Sequence, residues 1–282
     1  MIELAVEDVT HVYPGGVRGL DGVSLRIGPG ETVALIGQNG SGKTTLVRHL
    51  NGLLRPTSGR VVVGGADAAG QRVARLAAQV GLVFQDPDRQ IFAGTVRKEV
   101  EFGPRNVGLR DAALDEAVAG ALAAVGLQGE EDTNPYDLGA ARRKLLAVAS
   151  VLAMRTPILV LDEPTTGQDR AGVARIRDVV AAVANEGRTV ITISHDLRFV
   201  AETFGRVVVL RAGRVVLDGP PDEVFAAGAW ETLRGTGLEP PVAAVLAEQL
   251  GVGPLATEAA LVTALVRAPV ASEGAQSEEA PG

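Results

Sequence analysis

Gly37-Gln38-Asn39-Gly40-Ser41-Gly42-Lys43-Thr44-Thr45 follows the β-branched run Thr32 to Ile36 and opens a helical stretch near residues 43–53. The segment fits G-x-x-x-x-G-K-[ST] in the strand-loop-helix context that gives the pattern its meaning. Its glycines let backbone N–H groups turn inward around a phosphate, and the helix N-terminus adds partial positive charge. Lys43 is placed to neutralise β- and γ-phosphate oxygens, and the Thr44 hydroxyl to ligate Mg²⁺. Asn39, Gly40, Ser41, Gly42 and Thr45 complete the cradle. These residues point to a nucleoside triphosphate as the ligand. Lysine occurs only at 43, 98 and 144, so its position inside this loop is informative.

Outward from the loop, short β-branched runs recur at Val23 to Ile27, Arg60 to Val63, Val80 to Phe84, Ile158 to Leu161, Thr189 to Ile193 and Val207 to Leu210. Several are apolar on both faces, as in strands covered from both sides. Helical stretches are expected near 110–125, 138–153, 170–185 and 196–203, the first opened by Asp111 and closed by Gly126. This alternation predicts an α/β domain with a mainly parallel core sheet. Alternating runs at 2–8 and 23–27 predict an antiparallel β addition. Gly235-Thr236-Gly237 and Pro240-Pro241 read as a linker to two short helices, near 242–250 and 257–267. Residues 269–282 are Ala, Ser, Glu, Gly and Pro without periodicity, and are expected to be disordered.

The 282 residues are 46% hydrophobic but 3% aromatic, so the core must be built from Ala, Val, Leu and Ile. Cys is absent, which excludes disulfides, Cys-ligated zinc and thiol catalysis. A net charge of −7 argues against broad nucleic-acid binding. No run approaches the ~18 apolar residues of a membrane span. The first residues lack the basic and apolar blocks of a signal peptide, so an intracellular chain is expected.

Ile158-Leu159-Val160-Leu161-Asp162-Glu163-Pro164 is an apolar strand ending in two adjacent carboxylates. Successive strand side chains point to opposite sides, so one carboxylate can serve Mg²⁺ while its neighbour addresses water. Together with the phosphate loop, this stretch resembles the ATP-binding cassette (ABC) ATPases. That resemblance implies a P-loop NTPase fold over residues 1–235, with a helical subdomain at about 86–155 and a small helical extension at 236–268. It makes Asp162 the magnesium residue and Glu163 the general base, a role worth roughly 10²–10⁴ in rate. Tyr13, in Val12-Tyr13-Pro14, matches the aromatic that stacks on adenine. Gln85, after the run Val80 to Phe84, matches the glutamine that touches Mg²⁺ or the lytic water. Asp169, in Thr165-Thr166-Gly167-Gln168-Asp169, matches the residue that reports across an ATPase dimer, although Gln168 replaces the usual leucine. His195, in Ile193-Ser194-His195-Asp196, matches the histidine that contacts the γ-phosphate. His11 and His49 match no motif and are expected to be structural.

One motif departs from the family. Where Leu-Ser-Gly-Gly-Gln is usual, the chain has Leu138-Gly139-Ala140-Ala141-Arg142. In the family this segment closes on the γ-phosphate held by the opposite subunit. The backbone N–H groups of Gly139, Ala140 and Ala141 persist, but the hydroxyl is lost and Cβ atoms crowd the approach. By analogy with a lost oxyanion donor, ~3–4 kcal/mol of transition-state stabilisation is at stake. The resemblance therefore implies pairing with a second ATPase subunit, most productively one with an intact signature. Phe84 to Val96, continuing through Glu99 to Pro104, is similar to the ATPases of energy-coupling factor (ECF) transporters, importers of vitamins or transition-metal ions. That similarity implies a membrane coupling subunit, a substrate-binding membrane subunit, and a peripheral location on the cytoplasmic face of the membrane. Ile91, Phe92 and Val96, beside Asp88, Arg89 and Arg97, are expected to line the groove for the coupling subunit. Lys144 is read as merely following the altered signature. The alternatives are a conventional ABC importer subunit and a soluble ABC ATPase outside transport.

Overall fold

The computed structural model describes residues 2–267; the expected tail at 269–282 lies outside them. Ten strands occur among the described residues. In chain order they are β1 Leu4–Val12, β2 Arg18–Ile27, β3 Thr32–Ile36, β4 Ser58–Val63, β5 Ala66–Asp67, β6 Val80–Val83, β7 Ile158–Asp162, β8 Thr189–Ile193, β9 Arg206–Arg211 and β10 Arg214–Gly219. The helices that build the site and its support are α1 Lys43–Leu50, α2 Val73–Ala77, α3 Val96–Asn106, α4 Asp111–Val125, α5 Ala140–Leu152, α6 Arg170–Asn185 and α7 Leu197–Thr203. After them come α8 Pro221–Val224, α9 Trp230–Arg234, α10 Val242–Gln249 and α11 Glu258–Arg267.

The core sheet has the order β10-β9-β3-β8-β7-β6 and is parallel except for the β9/β10 pair. A second, antiparallel sheet has the order β2-β1-β4-β5. The two-residue period of a strand explains how both are served. Val33 and Leu35 of β3, Ile158 and Val160 of β7, and Val208 and Leu210 of β9 face a core shared with the antiparallel sheet and α1. Ala34 and Ile36, Leu159 and Leu161, and Val207 and Val209 face the opposite core, roofed by α3 to α7. Strands this apolar on both sides are stable only when covered twice.

Three features differ from the reading of the sequence. Gly235 to Gly237 is packed rather than a free linker: Thr236 is fully buried and its hydroxyl donates to Leu233 O at 2.6 Å. Ala244 and Ala256 of the extension belong to the main core. Ile91 and Val96 are buried in that core rather than lining a groove. Phe92 alone of the three is exposed, paired edge-to-face with Phe102 at 4.8 Å.

Candidate nucleotide site

The loop after β3 owes its path to glycines at two tight approaches. A Cβ on Gly37 would lie 2.2 Å from Leu210 O, and one on Gly42 would lie 2.6 Å from Gly19 O. Gly42, at φ 109°, is the residue that caps α1, a conformation disfavoured for side chains with a Cβ. From this turn Lys43 folds back, and its Nζ donates to Gly37 O at 2.6 Å and Gln38 O at 2.9 Å. Burial lowers the pKa of its ammonium below the usual lysine value, while Glu163 and Asp162 oppose that shift.

One cleft brings together Tyr13, Asn39, Gly40, Gly42, Lys43, Thr44, Thr45, Gln85, Asp162 and Glu163. Val17 and Arg18, which sequence reasoning passed over, line it as well. Ser41 is buried behind the loop, its Oγ 3.4 Å from Lys43 Nζ. Tyr13 Oη and Thr45 Oγ1 share a hydrogen bond of 2.9 Å, and the tyrosine ring meets His11 edge-on at 4.5 Å. His49 Nδ1 donates to Thr45 O at 2.7 Å, and its Nε2 lies 3.2 Å from His11 Nδ1. The two histidines without a motif thus buttress the tyrosine from beneath.

Asp162 ends β7 with its Oδ2 3.5 Å from Thr44 Oγ1. Its buried Oδ1 has no hydrogen-bond partner among the described residues. Burial, reinforced by the neighbouring Glu163 charge, pushes its carboxyl up to about 6. A carboxylate with one oxygen near the threonine hydroxyl and the other unpartnered offers a hard oxygen donor set that fits Mg²⁺. Among the described residues no three His, Cys, Asp or Glu side chains could hold a metal together, so such an ion would also need phosphate oxygens or water. Glu163 sits one residue further, at φ 52°. His195 Nδ1 lies 2.8 Å from Glu163 Oε2. An ionised carboxylate only accepts, so Nδ1 is the donor and the exposed imidazole holds the carboxylate from the solvent side.

The other expected site residues lie outside this cleft. Gly139 caps α5 without a side-chain hydrogen bond, leaving that helix start exposed. Ala140 and Ala141 border a neighbouring cleft that shares Gln85 with the first. Asp169 caps α6, its Oδ1 accepting from Gly172 N at 2.7 Å. Lys144 corrects the sequence reading: it is buried, and its Nζ donates to Glu163 O at 2.7 Å and Thr166 O at 3.1 Å. The scarcity of lysine was the signal that could have singled it out.

A parallel sheet carrying a glycine loop, a lysine and a strand-end carboxylate at one cleft defines a P-loop nucleotide-binding protein. The family described as ABC transporter matches residues 20–166. Energy-coupling factor transporter ATP-binding protein EcfA2 of Symbiobacterium thermophilum is 43% identical, with 88% of each chain covered. Cobalt import ATP-binding protein CbiO of Rhodobacter capsulatus is 41% identical, over 86% of this chain and 87% of its own length. The solved structure of cbiO1 from Clostridium perfringens, part of the ABC transporter complex cbiONQ, superposes with a TM-score of 0.72 at 36% identity, covering 82% of this chain and 94% of that one. The chain therefore belongs to the ABC transporter family of ATPases. It spans only 43% and 40% of the length of two further relatives, from Caldanaerobacter subterraneus subsp. tengcongensis and Methanosarcina acetivorans, each 42% identical to it.

Proposed function

We propose that this chain binds and hydrolyses ATP to power an ECF-type importer of a vitamin or transition-metal ion, seated on the cytoplasmic face of the membrane. The observation that carries the proposal is the convergence of Lys43, Thr44, Asp162 and Glu163 on one cleft beneath a glycine loop. The loop N–H groups and Lys43 bind the phosphates, and Tyr13 offers a ring for adenine. Thr44, Asp162 and Gln85 would hold Mg²⁺, which would supply charge neutralisation on the phosphate oxygens. Glu163 takes a proton from the water that attacks the γ-phosphorus, while the bond to the β–γ bridging oxygen breaks, giving ADP and phosphate. His195 fixes the direction of that carboxylate through its Nδ1, and its role toward the γ-phosphate follows from the family resemblance. Catalysis of this kind is mostly positioning and charge stabilisation.

Partners follow from the gaps in the site. Gly139, Ala140 and Ala141 do not line the cleft of the chain's own phosphate loop, as suits a segment that meets ATP held by another ATPase subunit, and Asp169 caps α6 next to Gln168, whose side chain donates to Ala141 O. The loss of the serine hydroxyl favours a different subunit with an intact signature over a second copy. The relatives named for cobalt import and energy coupling support a membrane coupling subunit and a substrate-binding membrane subunit. No helix among the described residues is long and apolar enough to cross a membrane, which suits a peripheral role. Mass spectrometry of the tagged chain from detergent-solubilised membranes, with ATP turnover measured on the same sample, tests the proposal. Two membrane subunits and a second ATPase are expected. Recovery of a solute-binding-protein-dependent permease would instead favour a conventional importer, and full cooperative turnover by the lone homodimer would refute the asymmetric pairing.

A further inference from the structure

Lys144 lies one turn inside α5, directly after the altered Leu138 to Arg142 segment, with only 6% of its surface exposed. An ammonium has three donors and no acceptor, and this one spends two of them on main-chain carbonyls, Glu163 O at 2.7 Å and Thr166 O at 3.1 Å. Glu163 is a non-glycine residue at φ 52°. That left-handed conformation is disfavoured for a residue with a Cβ and persists only where the surroundings hold it. On one side the Glu163 N–H donates to Ile193 O at 2.9 Å. On the other side the Glu163 carbonyl is held by Lys144. The carboxylate between these two anchors leaves the backbone toward His195. A second tie joins the same two segments: Gln168 Nε2 donates to Ala141 O at 2.9 Å. A packing role alone would be met by leucine or methionine, which bury without the desolvation cost of a charge.

We propose that Lys144 is a positioning residue for ATP hydrolysis, holding the Glu163 main chain through the carbonyls of Glu163 and Thr166 so that the Glu163 carboxylate stays aimed at the cleft. The same contact couples the first turns of α5 to the turn after β7, so movement of the altered signature is felt at the general base of its own subunit. This rests on the reading of Glu163 as that base.

The test is a double-mutant cycle in the full chain, purified with the subunits that accompany it. Lys144→Met, Glu163→Gln and the double variant are compared with wild type for kcat and KM of ATP. Lys144→Met is expected to lower kcat about tenfold or more while KM stays within about twofold. Lys144→Arg, which keeps charge and donors, should recover part of that loss. On the Glu163→Gln background, Lys144→Met should change the residual rate by less than about twofold, because the group it positions is already disabled. An unchanged kcat, or the same fold loss on both backgrounds, overturns the proposal. Should Lys144→Met fail to fold, Lys144→Gln is measured on both backgrounds against the same criteria. If wild type does not turn over ATP, or Glu163→Gln retains the full rate, the functional reading fails and takes this proposal with it. If Glu163→Gln loses activity while the Lys144 variants do not, Lys144 alone is refuted.

Discussion

Asp162 shows how one buried carboxylate ties chemistry to stability. Burial, and then Glu163, raise it from the ordinary 3.8 to about 6. Between about pH 4 and pH 6 the folded chain holds a proton that the unfolded chain has released, so this group favours folding below that window. Its contribution turns against folding as pH rises through about 6. At neutral pH the ionised group therefore costs the ligand-free chain on the order of 2–3 kcal/mol. Asp162→Asn is expected to raise the melting temperature at pH 7.5, with the gain shrinking as the pH falls toward 4; an equal gain at every pH would show that ionisation is not the cause. Lys43 and Asp162 were both legible in the sequence because phosphate and magnesium chemistry demand those residue types after a buried strand. Lys144 was not, since its partners are the carbonyls of Glu163 and Thr166, and a carbonyl leaves no mark on residue identity.

The turn between β3 and α1 is as constrained as the side chains it presents. A methyl on Gly42 would press to 2.6 Å from a backbone oxygen that cannot swing away, at a φ of 109°. Gly42→Ala is expected to cost about 1–3 kcal/mol of stability and to abolish detectable ATP binding by calorimetry; retained affinity would mean that the loop can re-form around a side chain. Strands β3, β7, β8 and β9 were readable because both of their faces are apolar. Helix α3 was missed because Gly103 and Pro104 interrupt it. The structure gives Gly103 its reason, since a Cβ there would lie 2.6 Å from Met154 Cγ and 3.2 Å from Ser150 O of α5, so the glycine lets α3 approach α5 and the turn that follows it. Strand β10 was missed as well: it is a half-buried edge strand, joined to β9 by Ala212 and Gly213, both at positive φ. Short edge strands carry little of the pattern that marks a core strand.

Across the whole molecule, the extension and the nucleotide-binding core share one hydrophobic interior through Leu233, Leu238, Ala244 and Ala256. Composition suggested a linker at Gly235 because glycine and proline mark turns, whereas the burial of Thr236 depends on Leu233 and on contacts distant in sequence. Trp230, the only tryptophan, lies at this junction with its Nε1 donating to Phe225 O at 2.8 Å. Thermal unfolding followed by Trp230 fluorescence and by far-ultraviolet circular dichroism is expected to superimpose; separate transitions would mark the extension as an independent unit. The ECF-like stretch from Phe84 to Pro104 was recognisable as a sequence, but its exposed face was not. Burial of Ile91 and Val96 leaves Phe92, backed by Phe102, as its apolar surface, and only the packing of α3 against α5 decides which of these side chains turn inward. The most direct measurement is single-turnover ATP hydrolysis by the assembled complex, comparing wild type with Glu163→Gln. Loss of a positioned general base should slow turnover about 10²-fold or more while ATP binding is preserved. A Glu163→Gln complex that hydrolyses ATP at the wild-type rate would contradict the role assigned to this cleft.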